Sequence, residues 1–415
     1  MFHGLILPNI SKTVVLEWVV FNVISFGVYY LVSKLSRNIR MAALLKEQLN
    51  QQALEQIAQI LQKVYPAFNH QSFIAQAVQD LELLELKQRV NHIITVLGCL
   101  LPQDFEQTAT ILQVIPEHWP SQSNQQYGVF AAWPLIDYVA VYGLAQPQIA
   151  LPTLAKLTPL FTAEFAIRPF LQHHFELSYA YMQQWAQHEH EHLRRLASEG
   201  LRSRLPWGQR VPKLLAEPQW AIAILQQLKD DSSDYVQRSV ANNLNDLSKD
   251  YPQQVIELAQ QWLKEAPTVQ RQWIIKHGTR GLIKAGHAEA LGLLGYQTKI
   301  SIENIRFSVD RTQVNMGESV GLTLSFNLPH AQALVIDYAL YLPRANGKHS
   351  QKVFKWKTAK FSQGQQQLTT DFSFKKITTR RYYEGEHRFV VLVNGQERAE
   401  ASVNLNVPDK PQREK

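Results

Sequence analysis

Two segments of this sequence bring carboxylates, arginines and a tryptophan together at spacings typical of helices. The first segment runs from Leu196 to Trp207 and contains Glu199, and the second runs from Tyr235 to Asp246. Each carries an apolar stripe at three- and four-residue steps, with basic residues within a few positions of the acid. Carboxylates and aromatic rings bind cations, and arginines bind anions. The combination indicates a ligand that joins a cationic group to a polyanion.

A third carboxylate, Glu164, lies in an otherwise apolar turn beside Phe165. Removing a carboxylate from water is costly unless the group is paired or has a function. One explanation is a salt bridge to Arg168, four residues further along. The other is that Glu164 belongs to the same acidic site as Glu199 and Asp246.

The other two carboxylates also have structural explanations. Glu199 can pair with Arg195 or Arg202, and Asp246 can pair with Lys249. Taken one at a time, these residues fit a structural role better than a catalytic one. Their joint occurrence favours a site.

Trp207 lies in a Pro-Trp-Gly sequence that is typical of a loop. A large aromatic residue in a loop often contacts a ligand, although packing in the core is the alternative. We therefore expect Trp207 to contribute to the site.

The sequence HEHEH at 188–192 matches the pattern of a zinc hydrolase, in which two histidines four residues apart bind the metal. The run is polar throughout, and no third ligand follows at the usual spacing. We expect an exposed start of a helix and no metal site, with a zinc hydrolase as a minor alternative.

Composition bounds the class of protein. A chain of 415 residues is too long for one compact core and predicts two or three domains. The single cysteine, Cys99, excludes an intramolecular disulfide and fits a reducing compartment. Its neighbours Leu97, Leu100 and Leu101 predict that the thiol is buried.

The net charge of +7 is concentrated near the carboxyl end. Residues 344–388 contain eleven lysines and arginines against three acids, a local charge of +8. This predicts an anionic partner for that segment. A sheet face kept in solution by its lysines is the alternative.

Residues 13–33 are apolar and almost long enough to span a bilayer, and Lys34, Arg37 and Arg40 follow. If they span it, the positive-inside rule places the rest of the chain in the cytoplasm. Glu17 argues against spanning. Residues 1–40 are therefore either a membrane tether or an upstream extension of a cytoplasmic protein whose natural start is Met41.

The remaining sequence predicts a mainly α chain: a HEAT-like α-solenoid followed by a C-terminal immunoglobulin-like β-sandwich. Helical periodicity extends from 42 to about 296, and Arg195 and Arg238 recur 43 residues apart, a spacing typical of HEAT repeats. Alternation begins near Ile300, with hairpin signals at 346–347 and 394–395. The predicted units are listed here: 1–40 extension, 41–297 HEAT-like domain, 298–409 immunoglobulin-like domain, 410–415 charged tail.

Four segments are specific enough to carry a family resemblance: TAEFAIRPF (162–170), RRLASEGLRSRLPW (194–207), DYVQRSVANNLNDLSKD (234–250) and ITTRRYYEGEH (377–387). They resemble the AlkC-type DNA alkylation-repair glycosylases, HEAT-like-repeat enzymes related to the AlkD type. The similarity runs from about Met41 to Val407. The amino-terminal 40 residues are a departure from the family pattern and leave the localisation open.

The resemblance implies an enzyme that hydrolyses the N-glycosidic bond of cationic N3-alkylated bases, 3-methyladenine and 3-methylcytosine, in double-stranded DNA. An abasic site would remain, and neither a metal nor a small-molecule cofactor would take part. The family's active-site positions fall on Glu164, Glu199, Asp246 and Trp207 of this sequence. A HEAT-repeat scaffold that binds DNA without catalysis is the alternative.

Acidic groups repel a polyanion unless cations hold its backbone. We expect a monomer that contacts DNA phosphates through basic residues along the repeats and the sandwich, with surface salt bridging as the alternative. These residues are Arg195, Arg202, Arg204, Arg238, Lys276, Arg280, Lys352, Lys355, Arg380 and Arg381.

Overall fold

A computed structural model describes residues 46–120, 128–297, 299–344, 347–377 and 381–407. The predictions about residues 1–40, the apolar stretch 13–33, Arg380 and the tail 410–415 fall outside these ranges. Within the ranges, no helix is both long and apolar enough to cross a bilayer.

Helices occupy the chain from residue 51 to 292, as the sequence predicts. Those before the site are α1 (Gln51–Val64), α2 (His70–Ala77), α3 (Leu86–Leu100), α4 (Phe105–His118), α5 (Gly128–Ala131), α6 (Trp133–Tyr142), α7 (Pro147–Leu157), α8 (Ile167–His173) and α9 (Phe175–Trp185). Those around and after the site are α10 (Glu191–Glu199), α11 (Pro212–Ala216), α12 (Gln219–Leu228), α13 (Asp234–Leu247), α14 (Pro252–Glu265), α15 (Val269–Gly278), α16 (Arg280–Lys284) and α17 (Ala288–Gly292).

The HEAT-like repetition places α10, α13 and α15 side by side. Helix α10 begins at Glu191 and α13 at Asp234, which reproduces the 43-residue spacing of the sequence. Helix α13 packs apolar residues into the core and also buries a polar set. That polar set is Gln237, Ser239, Asn243, Asn245 and Asp246. A functional site made of polar side chains can form at such a buried polar face.

One local prediction in the helical region is wrong. Cys99 is exposed, because successive helical residues point about 100° apart and its buried neighbour Leu97 faces a different direction.

Eight strands follow in the described part of residues 299–407, and together they form the expected immunoglobulin-like sandwich. They are β1 (Glu303–Val309), β2 (Gln313–Asn315), β3 (Ser319–Leu328), β4 (Gln332–Pro343), β5 (His349–Phe361), β6 (Gly364–Ser373), β7 (Gly385–Val393) and β8 (Gln396–Asn406). One sheet has the order β1-β3-β6 and the other β2-β8-β7-β4-β5. Strand β3 alternates buried and less buried residues, as the sequence predicts.

Of the two predicted hairpin turns, the one at 394–395 lies entirely within the described residues. Asn394 and Gly395, at φ of 46° and 75°, form the predicted two-residue turn, with Val393 opposite Gln396. The other signal includes Asn346, which lies outside the described residues; β4 ends at Pro343 and β5 begins at His349.

The helical region and the sandwich meet at two glycines. A Cβ atom on Gly286 would lie 2.5 Å from the Cα atom of Gly395, too close for any side chain. Beside this contact, the Asn394 amide donates a hydrogen bond to the carbonyl of Gln297 at 2.8 Å. The two parts are therefore in backbone contact at this point.

Candidate active site

Three carboxylates and two arginines alternate in one chain of ion pairs. Arg195 pairs with Glu164 through Nη1 and with Glu199 through Nη2, the latter at 3.5 Å. Arg202 donates from Nη1 to Glu199 Oε1 at 2.6 Å and from Nε to Asp246 Oδ2 at 2.8 Å. The structure thus joins the three carboxylates that the sequence placed in one site.

The fold explains this convergence. Glu164 precedes α8, Glu199 is the last residue of α10, and Asp246 lies in the last turn of α13. Because α10 and α13 are equivalent helices of adjacent repeats, their carboxyl-terminal ends lie together. The exposed fractions of the three residues are only 9, 5 and 2%.

Polar neighbours complete the coordination of the carboxylates. Ser239 donates to Glu199 Oε2 at 2.6 Å, and Thr162 donates to Glu164 Oε2 at 3.0 Å. Lys249 donates to Asp246 Oδ1 at 3.0 Å. Both oxygens of Glu199 and of Asp246 therefore have partners.

The ion pairs test the alternative explanation of each carboxylate, namely that it only forms a salt bridge. Glu199 pairs with both predicted arginines, and Asp246 pairs with Lys249. Glu164 pairs with Arg195, while Arg168 donates to backbone carbonyls instead. Each carboxylate therefore has a structural role as a partner in an ion pair, and this role is compatible with a catalytic one.

Two opposing effects act on the pKa values of Arg195 and Arg202. Burial lowers the pKa of Arg195 and of Arg202, but the neighbouring carboxylates outweigh it, and the pKa of each is raised. The Arg195 guanidinium also lies 5.0 Å from the centre of the Tyr235 ring. Both arginines are mostly buried and engaged with carboxylates, away from the outer surface.

Trp207 lies in the segment 200–211 between α10 and α11, and 57% of its surface is exposed. Its φ of 63° is left-handed, which is uncommon for a residue other than glycine. The Lys87 ammonium of α3 donates to the Trp207 carbonyl and lies 5.5 Å from the centre of the Phe165 ring. Sequence reasoning missed Lys87 because 120 residues separate it from Trp207.

Asp137 of α6 is a second residue that the sequence analysis missed. The Trp133 indole donates to Asp137 Oδ2 at 2.8 Å, and Oδ1 is buried without a hydrogen-bond partner. Burial raises the pKa of Asp137 to about 7, nearby Glu164 contributes to the rise, and Lys87 opposes it. A carboxylate inside the apolar run WPLIDYVAV was the signal that could have identified it.

The remaining predicted DNA contacts are spread along the surface. Arg238, Lys276 and Arg280 are exposed on α13, α15 and α16. Arg204 pairs with Asp250 at 2.6 Å, with both side chains partly exposed.

On the sandwich, Lys352 and Lys355 are exposed on β5, an edge strand of its sheet. Arg381 is exposed and lies 5.1 Å from the centre of the Tyr383 ring. In the described ranges, no ion pair joins these surface cations to Glu164, Glu199 or Asp246, whereas Arg195 and Arg202 pair with them directly.

The HEHEH sequence leads into α10: Glu191 and His192 begin the helix, and His190 is its N-cap. His190 accepts a hydrogen bond from the backbone of His192 at 3.3 Å. In the part of the chain that the structure covers, no three His, Cys, Asp or Glu side chains are grouped to hold a metal ion.

Comparison with known proteins assigns this combination of folds to the DNA alkylation repair class. Residues 161–280 match the family described as DNA alkylation repair enzyme, and this stretch contains all four predicted active-site residues. Residues 303–407 match the C-terminal immunoglobulin-like domain of the uncharacterised protein YhaZ.

Two similar proteins cover most of the chain. The alkylpurine DNA glycosylase AlkC of Pseudomonas fluorescens, solved bound to DNA containing an abasic site analog, is 38% identical over 87% of this chain and 99% of its own, with a TM-score of 0.80. The uncharacterized protein YhaZ of Bacillus subtilis strain 168 is 36% identical over 85% of this chain and 96% of its own. The chain belongs to the AlkC-type branch of the DNA alkylation repair family.

Proposed function

We propose that this protein is a monofunctional DNA glycosylase. It removes cationic N3-alkylated bases, 3-methyladenine and 3-methylcytosine, from double-stranded DNA and leaves an abasic site without a metal or cofactor. The observation that carries this proposal is the buried alternation of Glu164, Glu199 and Asp246 with two arginines. The exposed Trp207 follows one of these arginines, Arg202, by five residues.

The chemistry suits such a site. Alkylation at N3 makes the base cationic, so it leaves as a neutral molecule with the electron pair of the broken C1′–N bond. Positive charge then develops on the sugar, and a fixed carboxylate stabilises it. Water adds its oxygen to C1′ and releases a proton.

Among the three carboxylates, Asp246 is our choice for the group that faces the sugar. Its Oδ1 partner, Lys249, is 49% exposed, so a ligand can reach that side by displacing an exposed ammonium. Glu199 is enclosed instead by Arg202 and Ser239. Glu199 and Glu164 would complete the acidic site, held in place by Arg195 and Arg202.

Trp207 would contact the charged nucleotide. A cation over an indole ring gains about 0.5–2 kcal/mol, which favours a cationic lesion over normal bases. The ring has the exposure that this role requires.

The surface cations would hold the phosphates of the duplex from two sides, with the protein acting as a monomer. In this proposal they comprise Arg204, Arg238, Lys276, Arg280, Lys352, Lys355, Arg380 and Arg381. Arg195 and Arg202 are reassigned to the carboxylates, because the structure pairs both with them.

Asp246→Asn tests the proposal. We expect single-turnover release of 3-methyladenine from methylated DNA to fall at least about a hundredfold, since a preorganised charge is lost at the sugar. Affinity for the duplex should change by less than about threefold. Released bases are measured by chromatography, and a chelator-treated sample tests the independence from metal.

Asp250→Asn is the matched control, because Asp250 also pairs with an arginine but is partly exposed. This variant should keep most of the activity. Unchanged release by Asp246→Asn would contradict the assignment of that residue.

The complete pairing of Glu199 and Asp246 favours a second candidate, a DNA-binding scaffold without catalysis. It predicts salt-dependent binding and no released base even at high protein concentration. The same chromatographic assay on the unaltered protein decides between the two.

A further inference from the structure

We propose that Arg168 is a positioning residue that fixes the backbone of the segment 200–211, and through it Arg202 and Trp207. Its effect on excision rests on the proposed function, whereas its effect on the segment does not. In the sequence, Arg168 stands out only as a possible ion-pair partner of Glu164, four residues earlier.

The contacts of Arg168 bracket the segment. Its Nη1 donates to the carbonyls of Gly200 at 2.7 Å and Arg202 at 2.9 Å. Its Nε donates to the carbonyl of Gln209 at 2.7 Å. One guanidinium therefore ties the beginning of the segment to its end.

Few backbone hydrogen bonds hold the same segment. Within it, Arg202 and Gly208 each donate to a carbonyl three residues earlier, at 3.2 Å. At its ends, Gly200 donates to the carbonyl of Leu196 at 2.8 Å, and the carbonyl of Val211 accepts from the amide of Leu214 at 3.1 Å. Trp207 between them has the disfavoured left-handed backbone. A strained residue persists only where the surroundings determine its conformation. Arg168 at the ends and Lys87 at the Trp207 carbonyl supply those surroundings.

The environment of Arg168 argues against a role in ordinary packing. The residue is 0% exposed, no carboxylate in the described ranges pairs with it, and its Nη2 is buried without a hydrogen-bond partner. Burial and the neighbouring charge of Arg202 lower the pKa of Arg168 to about 10. A buried cation is costly, and here its bonds go to the carbonyls of a single segment.

Gly200 shows how closely this segment approaches α8 and α9. A Cβ atom there would lie 2.8 Å from the Met182 side chain and 3.0 Å from that of Ile167, the residue next to Arg168. The segment therefore lies directly against the helix that carries Arg168.

The experiment compares Arg168→Lys with the control Arg89→Lys in the full chain. Arg89 is also buried and lies on α3, the helix that carries Lys87, but it donates to the carbonyls of Leu84, Lys46 and Leu49, outside the segment 200–211. A lysine keeps the charge but lacks the planar fork that bonds several carbonyls. We expect amide hydrogen exchange in 200–211 to rise at least tenfold in Arg168→Lys, with α12 and α14 unchanged. Arg89→Lys should leave 200–211 unchanged.

The activity readout separates positioning from stability. We expect the single-turnover excision rate of Arg168→Lys to fall at least tenfold while duplex affinity changes less than threefold. In a Trp207→Ala background the same substitution should have a smaller effect, since both act through one segment.

Unaltered exchange in 200–211, or a rise spread over the whole chain, would overturn the proposal. Loss of the native circular dichroism in Arg168→Lys would also overturn it by showing a general structural role. If the unaltered protein releases no base, the proposed function fails, and hydrogen exchange still decides the role of Arg168.

Discussion

Glu199 and Asp246 share a single guanidinium, that of Arg202. Buried ion pairs contribute little net stability, but removing one partner leaves an uncompensated charge. The same pairing that could be purely structural also fixes the carboxylates before a substrate arrives. Preorganisation of this kind is what stabilisation of a developing charge requires.

Glu199→Ala should therefore destabilise the protein strongly. Arg202 would keep only Asp246 and Arg195 only Glu164, and we expect a loss of about 3–5 kcal/mol in the free energy of unfolding. Urea titration followed by circular dichroism measures it. Glu176→Ala is the control, because Glu176 is exposed and pairs with Lys213 at 3.2 Å; an exposed pair of this kind contributes little to stability. Equal effects of the two substitutions would refute the prediction.

Asp137→Asn should change how stability depends on pH. Burial raises the pKa of Asp137 to about 7, so between pH 4 and 7 the folded state retains a proton that the unfolded state has lost. The free energy of unfolding falls as pH rises through this range. Asparagine keeps an acceptor for Trp133 and cannot ionise.

The stability advantage of Asp137→Asn over the unaltered protein should therefore grow by on the order of 2 kcal/mol between pH 5 and pH 8. Denaturant titrations at the two pH values measure this change. Asp371→Asn, at an exposed position, should show no such growth. A constant difference for Asp137→Asn would contradict the prediction.

At the scale of the elements, helical periodicity predicted the repeats, and the 43-residue spacing matched the starts of α10 and α13. It did not relate Glu199 to Asp246, which are 47 residues apart. Both lie near helix ends because α13 is longer than α10. Helical spacing did not predict that Glu164 pairs with Arg195. The four-residue rule applies inside a helix, whereas Glu164 precedes the first residue of α8, Ile167. Contacts across 120 residues, such as that of Lys87 with Trp207, have no signal in the local sequence.

The segment 200–211 presents Trp207 outward, and this leads to a prediction for Trp207→Ala. The exposed ring contributes little packing, so the free energy of unfolding should change by less than about 1 kcal/mol. Excision should fall about tenfold, the equivalent of 1.4 kcal/mol of lost cation–π attraction. Single-turnover assays and thermal melts measure the two effects. Val269→Ala, at another exposed apolar residue, should change neither, and a Trp207 variant with full activity would contradict the role.

At the scale of the whole molecule, the three carboxylates of the site are buried and paired with arginines inside the helical array. Exposed cations lie on the surface of that array and on β5. Lys352→Gln with Lys355→Gln should lower the slope of log affinity against log salt by about 2, or about 1 per phosphate contact. Fluorescence anisotropy with an undamaged duplex between 50 and 200 mM salt measures this slope. Lys213→Gln, on the helical array, is the control. An unchanged slope in the double variant would remove β5 from the interface.

The contact between Gly286 and Gly395 also constrains how this family can change. Neither position accepts a side chain while the other backbone stays in place, so the two are expected to vary together during evolution. A designer who exchanges the β-sandwich between relatives would therefore have to transfer the 394–395 turn together with the loop around Gly286. A chimera that breaks this match would hold the β-sandwich at a different angle to the helical array.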